Sequence, residues 1–335
     1  MDYRRLGASG LNVSPICLGT MMFGDRTSER ASMRIIGEAR DGGVNFIDTA
    51  DRYTFGRSEE IVGKAIRRHR DYWVLATKLG ATMGPEPHQT GLGRKWMMQS
   101  IDASLKRLGT DYTDIYYLHV EDNKTPLAET IGALGDIIRA GKARYWGFSN
   151  FRAWKIADMV HIADQMGVPR PVVSQPYYNA VNRMPEVEYL PACGNFGIGS
   201  VPYSPLARGV LTGKYLAEGT PPKGSRGGRG DRRMMQTEYR KESLAIARKF
   251  VARAKKRGMT PGQFAVNWVL ANRLVTSVLA GPRTLAQWRE YVGALKHGFA
   301  AEDEEFVDTL VAPGHPSTPG YTDPTHPVVG RPTGD

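Results

Sequence analysis

The chain has 335 residues, of which 41% are hydrophobic and 24% charged, a mixture typical of a globular protein with a sizeable core. No stretch approaches the roughly 18 apolar residues that a membrane-spanning helix needs, and residues 1–5 lead into Gly and Pro instead of an apolar signal segment. The two cysteines, Cys17 and Cys193, predict neither a disulfide framework nor a metal site, and we expect a cytoplasmic protein.

The formal net charge of +11 raises the alternative of a nucleic-acid-binding protein. The densest basic cluster lies in residues 223–233, where five bases and one acid leave a charge of +4. This cluster is short and Gly-rich, and it lacks the interleaved aromatic residues on which bases stack. We therefore predict a solvated loop or a lid over an anionic small molecule, and no nucleic acid partner.

Short strands alternate with helical segments almost from end to end. The predicted strands cover residues 16–19, 44–48, 73–78, 113–119, 143–149, 172–175, 198–203 and 276–281. Spacings of three and four indicate helices at Met97, Ile101, Leu105 and Leu108, and again at Leu127, Ile131, Leu134 and Ile138. Thr260-Pro261 marks the start of another helix, as an N-cap followed by Pro in the first turn.

Eight strands with intervening helices predict an α/β fold, a (β/α)8 TIM barrel that forms a single domain over residues 1–335. A doubly wound sheet with a second domain is the alternative, but no linker divides the chain. Three stretches lie outside the repeat: an N-terminal hairpin (1–15), a long Gly/Arg/Pro loop after the seventh barrel strand (214–236), and an irregular C-terminal tail with six prolines (311–335).

Polar residues lie where three successive strands end. Asp48, Lys78 and His119 close the second, third and fourth predicted strands, and Tyr53 follows five residues after Asp48. Strand alternation places each of them on the same face as apolar residues, so in a barrel the three side chains converge at the C-terminal mouth. Each residue alone has an ordinary structural explanation, but four on three successive strands favour an active site.

The sequence here resembles the aldo-keto reductase superfamily, from about Arg5 to Tyr291. The matching segments are Asp48-Thr-Ala-Asp-Arg-Tyr53, Gly56-Arg-Ser-Glu-Glu-Ile-Val-Gly-Lys64, Ala76-Thr-Lys78, Tyr117-Leu-His119, Gly147-Phe-Ser-Asn150, Gln175 and residues 203–213. The resemblance implies an NADPH-dependent reductase of aldehydes or ketones, similar to bacterial members of the family.

The resemblance gives each of the four residues a catalytic role. Tyr53 would be the general acid that protonates the carbonyl oxygen, and Lys78 would lower the pKa of Tyr53 toward neutrality. Asp48 would pair with Lys78 and offset the cost of burying it. His119 would donate a hydrogen bond to the carbonyl oxygen and orient it.

The resemblance also implies that NADPH/NADP+ is the cofactor. Tyr203 would stack on the nicotinamide, and Ser149, Asn150 and Gln175 would bind its carboxamide. Further cofactor contacts are expected from Gly19, Thr20, Met21, Ser204, Leu206, Arg208, Gly209, Lys214, Gly281, Arg283, Gln287 and Glu290. No G-x-G-x-x-G follows a strand, which argues against a Rossmann dehydrogenase.

The adenosine end of the cofactor would lie in residues 281–287. Arg283 stands at the start of the last barrel helix, where the N–H groups and a guanidinium can grip the 2′-phosphate of NADPH. Family members usually carry Asn where this chain has Tyr291, so the chain departs from the family at this adenine contact, and Glu290 is the other candidate partner.

Two questions stay open in the sequence. The family also contains potassium-channel β-subunits, so an NADPH-binding regulatory subunit that docks to a partner is the alternative function. The physiological substrate and the oligomeric state are not specified. An apolar rim of Met21, Met22, Phe23 and Tyr53 nevertheless predicts a neutral, fairly bulky carbonyl substrate.

Overall fold

In the computed structural model, residues 1–217 and 220–325 are described. The chain begins with a two-stranded hairpin in which β1 (Arg4–Arg5) pairs antiparallel with β2 (Asn12–Val13). The predicted N-terminal hairpin is therefore confirmed.

Eight parallel strands follow, in the sheet order β10-β3-β4-β5-β6-β7-β8-β9. They are β3 (Ile16–Gly19), β4 (Phe46–Asp48), β5 (Val74–Leu79), β6 (Thr113–Leu118), β7 (Ala143–Ser149), β8 (Val173–Gln175), β9 (Gly199–Ser200) and β10 (Val278–Ala280). A parallel bridge between Ser200 and Val275, continued by the bond from Leu279 N to the Pro202 carbonyl at 2.9 Å, joins the two ends of the sheet. The predicted (β/α)8 barrel is confirmed.

Helices connect the barrel strands. Those of the described residues are α1 (Glu29–Asp41), α2 (Arg57–Ile66), α3 (Arg94–Leu108), α4 (Leu127–Arg139), α5 (Ala153–Gln165), α6 (Tyr189–Asn195), α7 (Arg232–Thr237), α8 (Lys241–Lys256), α9 (Pro261–Ala271), α10 (Leu285–Gly293) and α11 (Ala301–Asp308). Short 3₁₀ turns cover Tyr53–Gly56, Arg67–Tyr72, Met184–Glu186, Ala207–Gly209, Gly227–Arg229 and Ala294–Lys296. None of these helices is long and apolar enough to cross a membrane.

The sequence signals correspond to these elements. The apolar spacings fall in α3 and α4, and Thr260 caps α9 by accepting a bond from Gln263 N while the Gln263 side chain accepts from Thr260 N. Inside the barrel lies an apolar cluster that includes Cys17, Phe46, Ala76, Ile115, Tyr117, Val173 and Val201. Leu6 and Val13 of the hairpin join this cluster.

The largest differences from the predicted elements concern the seventh barrel strand and the 214–236 segment. The seventh barrel strand is Gly199–Ser200 instead of residues 198–203, since Pro202 has no N–H with which to extend the ladder. The 214–236 segment is not irregular throughout, because Asp231 accepts a bond from Met234 N and starts α7. Residues 311–325 of the predicted tail contain neither helix nor strand, and residues 218–219 and 326–335 lie outside the described residues.

Candidate active site

Two neighbouring strands bring Asp48 and Lys78 together inside the barrel mouth. Asp48 ends β4 and Lys78 lies near the end of β5; both side chains are 0% exposed and form an ion pair. The Lys78 ammonium also donates to the Thr49 carbonyl at 2.8 Å and to the Tyr53 hydroxyl oxygen at 3.2 Å. The structure therefore joins three of the four predicted catalytic residues in one buried chain of contacts.

A fourth group in this chain is Gln175, at the end of β8. Its amide Nε2 donates to the second carboxylate oxygen of Asp48 at 3.0 Å. From its sequence Gln175 was predicted only as a cofactor residue, because a partner 127 residues away leaves no local signal. The side chain lines the cleft and also holds Asp48 in place.

Burial and charge act in opposite directions on these groups. Burial lowers the pKa of the Lys78 ammonium, but the charges of Asp48 and Tyr53 outweigh it and hold that pKa above its ordinary value. Burial also raises the pKa of the Tyr53 phenol by more than the neighbouring Lys78 lowers it. Lys78 thus acts on the pKa of Tyr53 in the expected direction, but desolvation is larger and leaves that pKa above its ordinary value.

His119 follows β6 and faces Tyr53. The two rings meet edge to face with centroids 5.8 Å apart. Burial, reinforced by the charge of Lys78, lowers the pKa of His119 to about 3, so the imidazole is neutral at physiological pH. Among the described residues its Nδ1 has no hydrogen-bond partner. A neutral imidazole beside a protonated phenol can present two uncharged donors to one oxygen atom.

Tyr53 and His119 open into a cleft of about 430 Å³ across the barrel mouth. Most of the predicted cofactor residues line it: Gly19, Met21, Ser149, Asn150, Gln175, Tyr203, Ser204, Leu206, Arg208, Gly209, Lys214, Gly281, Arg283, Gln287 and Glu290. Thr20 does not, since its buried hydroxyl donates to the Asp48 carbonyl at 3.0 Å and lies 2.8 Å from the Ser58 hydroxyl. Thr20 therefore supports the strand end beneath the cleft.

The end of the cleft near His119 carries aromatic and amide groups. The Tyr203 ring stacks on Tyr177 with centroids 5.6 Å apart, and its hydroxyl donates to the Asn150 side-chain carbonyl at 2.8 Å. Asn150 donates in turn to the backbone carbonyl of His119 at 2.9 Å. The flat ring and the amide are thus held next to the candidate catalytic groups.

The far end of the cleft is cationic. Arg208, Lys214, Arg226 and Arg283 all line it, and their combined charge suits the phosphate groups of a dinucleotide. A Cβ atom added to Gly281 would have no neighbouring atom within 4 Å, so the backbone there borders open space. This donor set and shape fit a nicotinamide dinucleotide cofactor.

Several contacts at the far end were not expected from sequence. The Arg283 guanidinium donates to the carbonyl of Gly224 at 3.0 Å, which ties the 214–236 segment to the cleft wall. The Glu290 carboxylate accepts a bond from the Thr260 hydroxyl at 2.7 Å. The cleft is also lined by Pro205, Thr212, Arg226, Leu279 and Tyr291.

The predicted apolar rim needs one correction. Phe23 is 0% exposed and packs in the layer between barrel and helices, so it does not face the cleft. Met21 and Met22 do line the cleft. Phe55 follows Tyr53 closely and is 65% exposed, with the Arg52 guanidinium 3.8 Å above its ring.

Comparisons with known proteins agree with this geometry. The model of the Aldo/keto reductase family matches residues 15–312. The chain is 39% identical to a "Probable voltage-gated potassium channel subunit beta" of Arabidopsis thaliana, over 88% of this chain and 91% of that protein. It is 34% identical to the "L-glyceraldehyde 3-phosphate reductase" of Escherichia coli (strain K12), over 94% and 93%. It is 31% identical to the "Versiconal hemiacetal acetate reductase" of Aspergillus parasiticus, over 93% and 98%.

Proposed function

This chain belongs to the aldo/keto reductase family, and from that premise we propose that it reduces an aldehyde or ketone to the alcohol with NADPH. The observation that carries the proposal is the buried contact chain from Asp48 through Lys78 to Tyr53, beside a neutral His119. A buried ion pair is costly to maintain. Its position beside the Tyr53 phenol, whose ring meets His119 in the cleft, therefore favours a catalytic purpose.

The reaction requires a proton for the carbonyl oxygen, and Tyr53 is positioned to supply it. When bound, NADPH supplies the hydride that reduces the carbonyl carbon. Because burial raises the pKa of Tyr53, the phenol keeps its proton at neutral pH until the oxygen gains negative charge. The Lys78 ammonium then stabilises the phenolate that remains, through the contact at 3.2 Å.

His119 supplies the second hydrogen bond to the carbonyl oxygen. Its pKa of about 3 means that it donates as a neutral imidazole and does not compete with Tyr53 as the proton source. The Asn150 bond to the His119 backbone carbonyl fixes the position of this residue. Two donors from the segments that follow β4 and β6 would thus define where the oxygen lies.

The residues that line the cleft would hold the cofactor along the length of the cleft. Tyr203 offers its ring to the nicotinamide, and Ser149, Asn150 and Gln175 offer polar groups to the carboxamide. The cationic far end would take the phosphates, with Arg283 at the 2′-phosphate.

The experiment that tests the proposal is a turnover assay with NADPH and a panel of aldehydes and ketones, followed by the loss of NADPH absorbance. We expect turnover that depends on both components. A chain that binds NADPH but reduces no carbonyl in the panel would support the second candidate, an NADPH-binding regulatory subunit in the cytoplasm. The similarity to proteins named as potassium channel β-subunits favours that alternative.

The substrate class follows from the rim. Met21 and Met22 line the cleft and Phe55 is exposed two residues after Tyr53, and pockets with apolar side chains of this kind bind uncharged groups by area and shape. We expect a higher kcat/KM for a neutral aromatic aldehyde than for succinic semialdehyde or a sugar phosphate. Because one relative is named for a phosphorylated aldehyde, a preference for the sugar phosphate would overturn this expectation and indicate an anchoring residue such as Arg52.

A further inference from the structure

A second buried charge cluster lies behind the Tyr53–Gly56 turn. Asp51 and Glu59 are 1% and 0% exposed, and Arg107 of α3 faces them. The Arg107 Nε donates to one oxygen of Glu59 at 2.6 Å. The Ser100 hydroxyl donates to Asp51 at 3.3 Å.

The cluster contains two carboxyl groups and one guanidinium, and that guanidinium is paired with Glu59. Within the described residues the Asp51 Oδ1 has no hydrogen-bond partner. The other titratable groups that face Asp51 are Glu59 on α2, Arg107 on α3 and Tyr116 on β6. Burial, followed by the charge of Glu59, raises the pKa of Asp51 to about 7.

The cluster is attached to both ends of the active-site turn. Asp51 lies two residues before Tyr53, and its backbone N–H donates to the Lys78 carbonyl at 3.1 Å. At the other end, a Cβ on Gly56 would lie 2.5 Å from the Cδ of Arg107, so the turn rests directly on the arginine stem. A displacement within the cluster is therefore transmitted to the backbone that carries the phenol.

The turn between these attachments has a conformation that its own residues disfavour. Thr54 and Phe55 have φ values of +50° and +51°, in the left-handed region. Such conformations persist only when the surroundings enforce them. The Thr54 hydroxyl donates to the Phe23 carbonyl at 3.0 Å, the Arg52 guanidinium lies over the Phe55 ring, and the two ends supply further support.

We propose that Asp51 is a positioning residue, whose carboxyl group holds the Tyr53 turn in place when protonated and loosens it when ionised. The inference rests on the proposed carbonyl reduction, for which Tyr53 is the proton donor. Ionisation would place two buried carboxylates beside one guanidinium, and their repulsion would move Asp51 away from α2 and α3.

The direction of the pH effect follows from the raised pKa. Below its pKa Asp51 is protonated and the turn is held, and activity falls as the pH rises through about 7. His119 is already neutral well below that range, and the pKa of Tyr53 is raised above its ordinary value. Neither side chain changes charge near neutrality, so an inflection there distinguishes Asp51 from them.

The test is the single-turnover rate of NADPH oxidation as a function of pH, since a single turnover excludes product release. For the unchanged protein we expect a decrease of at least about threefold as the pH rises through the inflection, because small displacements of reacting groups are costly. In Asp51→Asn, whose amide cannot ionise, we expect the inflection to disappear. Asp111→Asn, an exposed aspartate at the entrance to β6, is the matched control and should retain it.

A second variant covers the case in which Asp51→Asn fails to fold. Ser100→Ala removes a hydrogen bond that lowers the pKa of Asp51, so the inflection should move to higher pH. An inflection that is absent from the unchanged protein, or that survives in Asp51→Asn or fails to move in Ser100→Ala, would overturn the proposal.

A measurement of the free energy of unfolding distinguishes failure of the proposed function from failure of the proposal for Asp51. This measurement needs no cofactor or substrate. Because the pKa of Asp51 is higher in the folded state, its stabilising contribution is complete at acidic pH and is lost as the pH rises through about 7. Asp51→Asn should therefore gain stability relative to the unchanged protein above that pH. This gain without any carbonyl turnover would refute the function while leaving the protonation of Asp51 intact, and no gain would refute the protonation itself.

Discussion

The two ends of the cleft are built in different ways. At the near end, Asp48, Lys78 and His119 come from the ends of successive strands; Asp48 and Lys78 are fully buried, and His119 is half-buried. At the far end, Lys214, Arg226 and Arg283 come from connecting segments, and the hydrogen bond of Arg283 to Gly224 is exposed to solvent. Charges that are buried and paired are coupled to folding, whereas charges in solvated loops act mainly on ligand affinity. Changes at the two ends should therefore alter different measured quantities.

The largest effect on stability is expected from breaking the buried pair. Asp48→Ala leaves the Lys78 ammonium buried without its carboxylate, which costs about 3–5 kcal/mol of unfolding free energy. Lys78→Met should cost a similar amount, but the double variant should cost much less than the sum. Chemical denaturation measures all three.

The matched control for that loss is Asp164→Ala, which removes the exposed pair with Arg170. Solvated ion pairs contribute about 0–1 kcal/mol, so this variant should be nearly neutral. If Asp48→Ala unfolded no more easily than Asp164→Ala, the near end would not be coupled to folding and the contrast between the two ends would be wrong.

Tyr53→Phe should leave folding and the far end intact while removing the proton donor. We expect kcat to fall by about 10²-fold or more, the usual scale for a lost general acid, with NADPH affinity nearly unchanged. Tyr112→Phe is the control, since the Tyr112 hydroxyl contacts Asp71 at 3.3 Å outside the cleft. A variant that kept most of its turnover would remove Tyr53 from the proposed mechanism.

The difference between the strand-built near end and the loop-built far end also explains which features could be predicted from the sequence. Asp48, Lys78 and His119 could be placed together before the structure, because strand periodicity and parallel order fix where strand ends meet. The Gln175 bond to Asp48 spans 127 residues and depends on side-chain geometry across the barrel, which no local pattern encodes. The net rise of the Tyr53 pKa was missed for a similar reason, since it depends on the depth of burial.

Loop-built features were harder to predict. Phe23 follows the first barrel strand and was expected at the mouth, but its backbone carbonyl accepts from Thr54 and its ring turns into the core. Helix α7 was missed inside a Gly/Arg-rich segment, although Asp231 is a recognisable N-cap. Short polar segments take their conformation from what they pack against, so composition alone does not specify it.

Arg283→Glu tests the far end. It should weaken NADPH binding by about tenfold or more, since a charge-assisted hydrogen bond to a phosphate contributes about 1.5–3 kcal/mol, and leave NADH binding much less affected. Unfolding free energy should change little. Arg289→Glu, on helix α10 just after Arg283 and paired with Glu38 at 2.8 Å on the surface, is the control for the charge change. Equal losses for NADPH and NADH would mean that Arg283 does not contact the 2′-phosphate.

The smallest effect concerns the 214–236 segment, which we propose acts as a lid over the cofactor phosphates. Its Arg226 lines the cleft and pairs with Asp231 at 3.1 Å, and Gly224 accepts from Arg283 on the opposite wall. These contacts alone are too few to hold the loop closed. Bound phosphates should therefore add electrostatic attraction to the loop and shift it toward the closed state.

Limited trypsin digestion measures that shift. Cleavage after Arg226, Arg229 or Arg232 should be slowed several-fold by saturating NADPH and less by NADH, since NADH lacks the 2′-phosphate that Arg283 would bind next to Gly224. In Arg283→Glu the difference between the two cofactors should disappear, because the wall contact and the phosphate contact are lost together. Equal cleavage rates with and without either cofactor would show that the 214–236 segment does not close when a cofactor binds. The lid proposal would then be wrong.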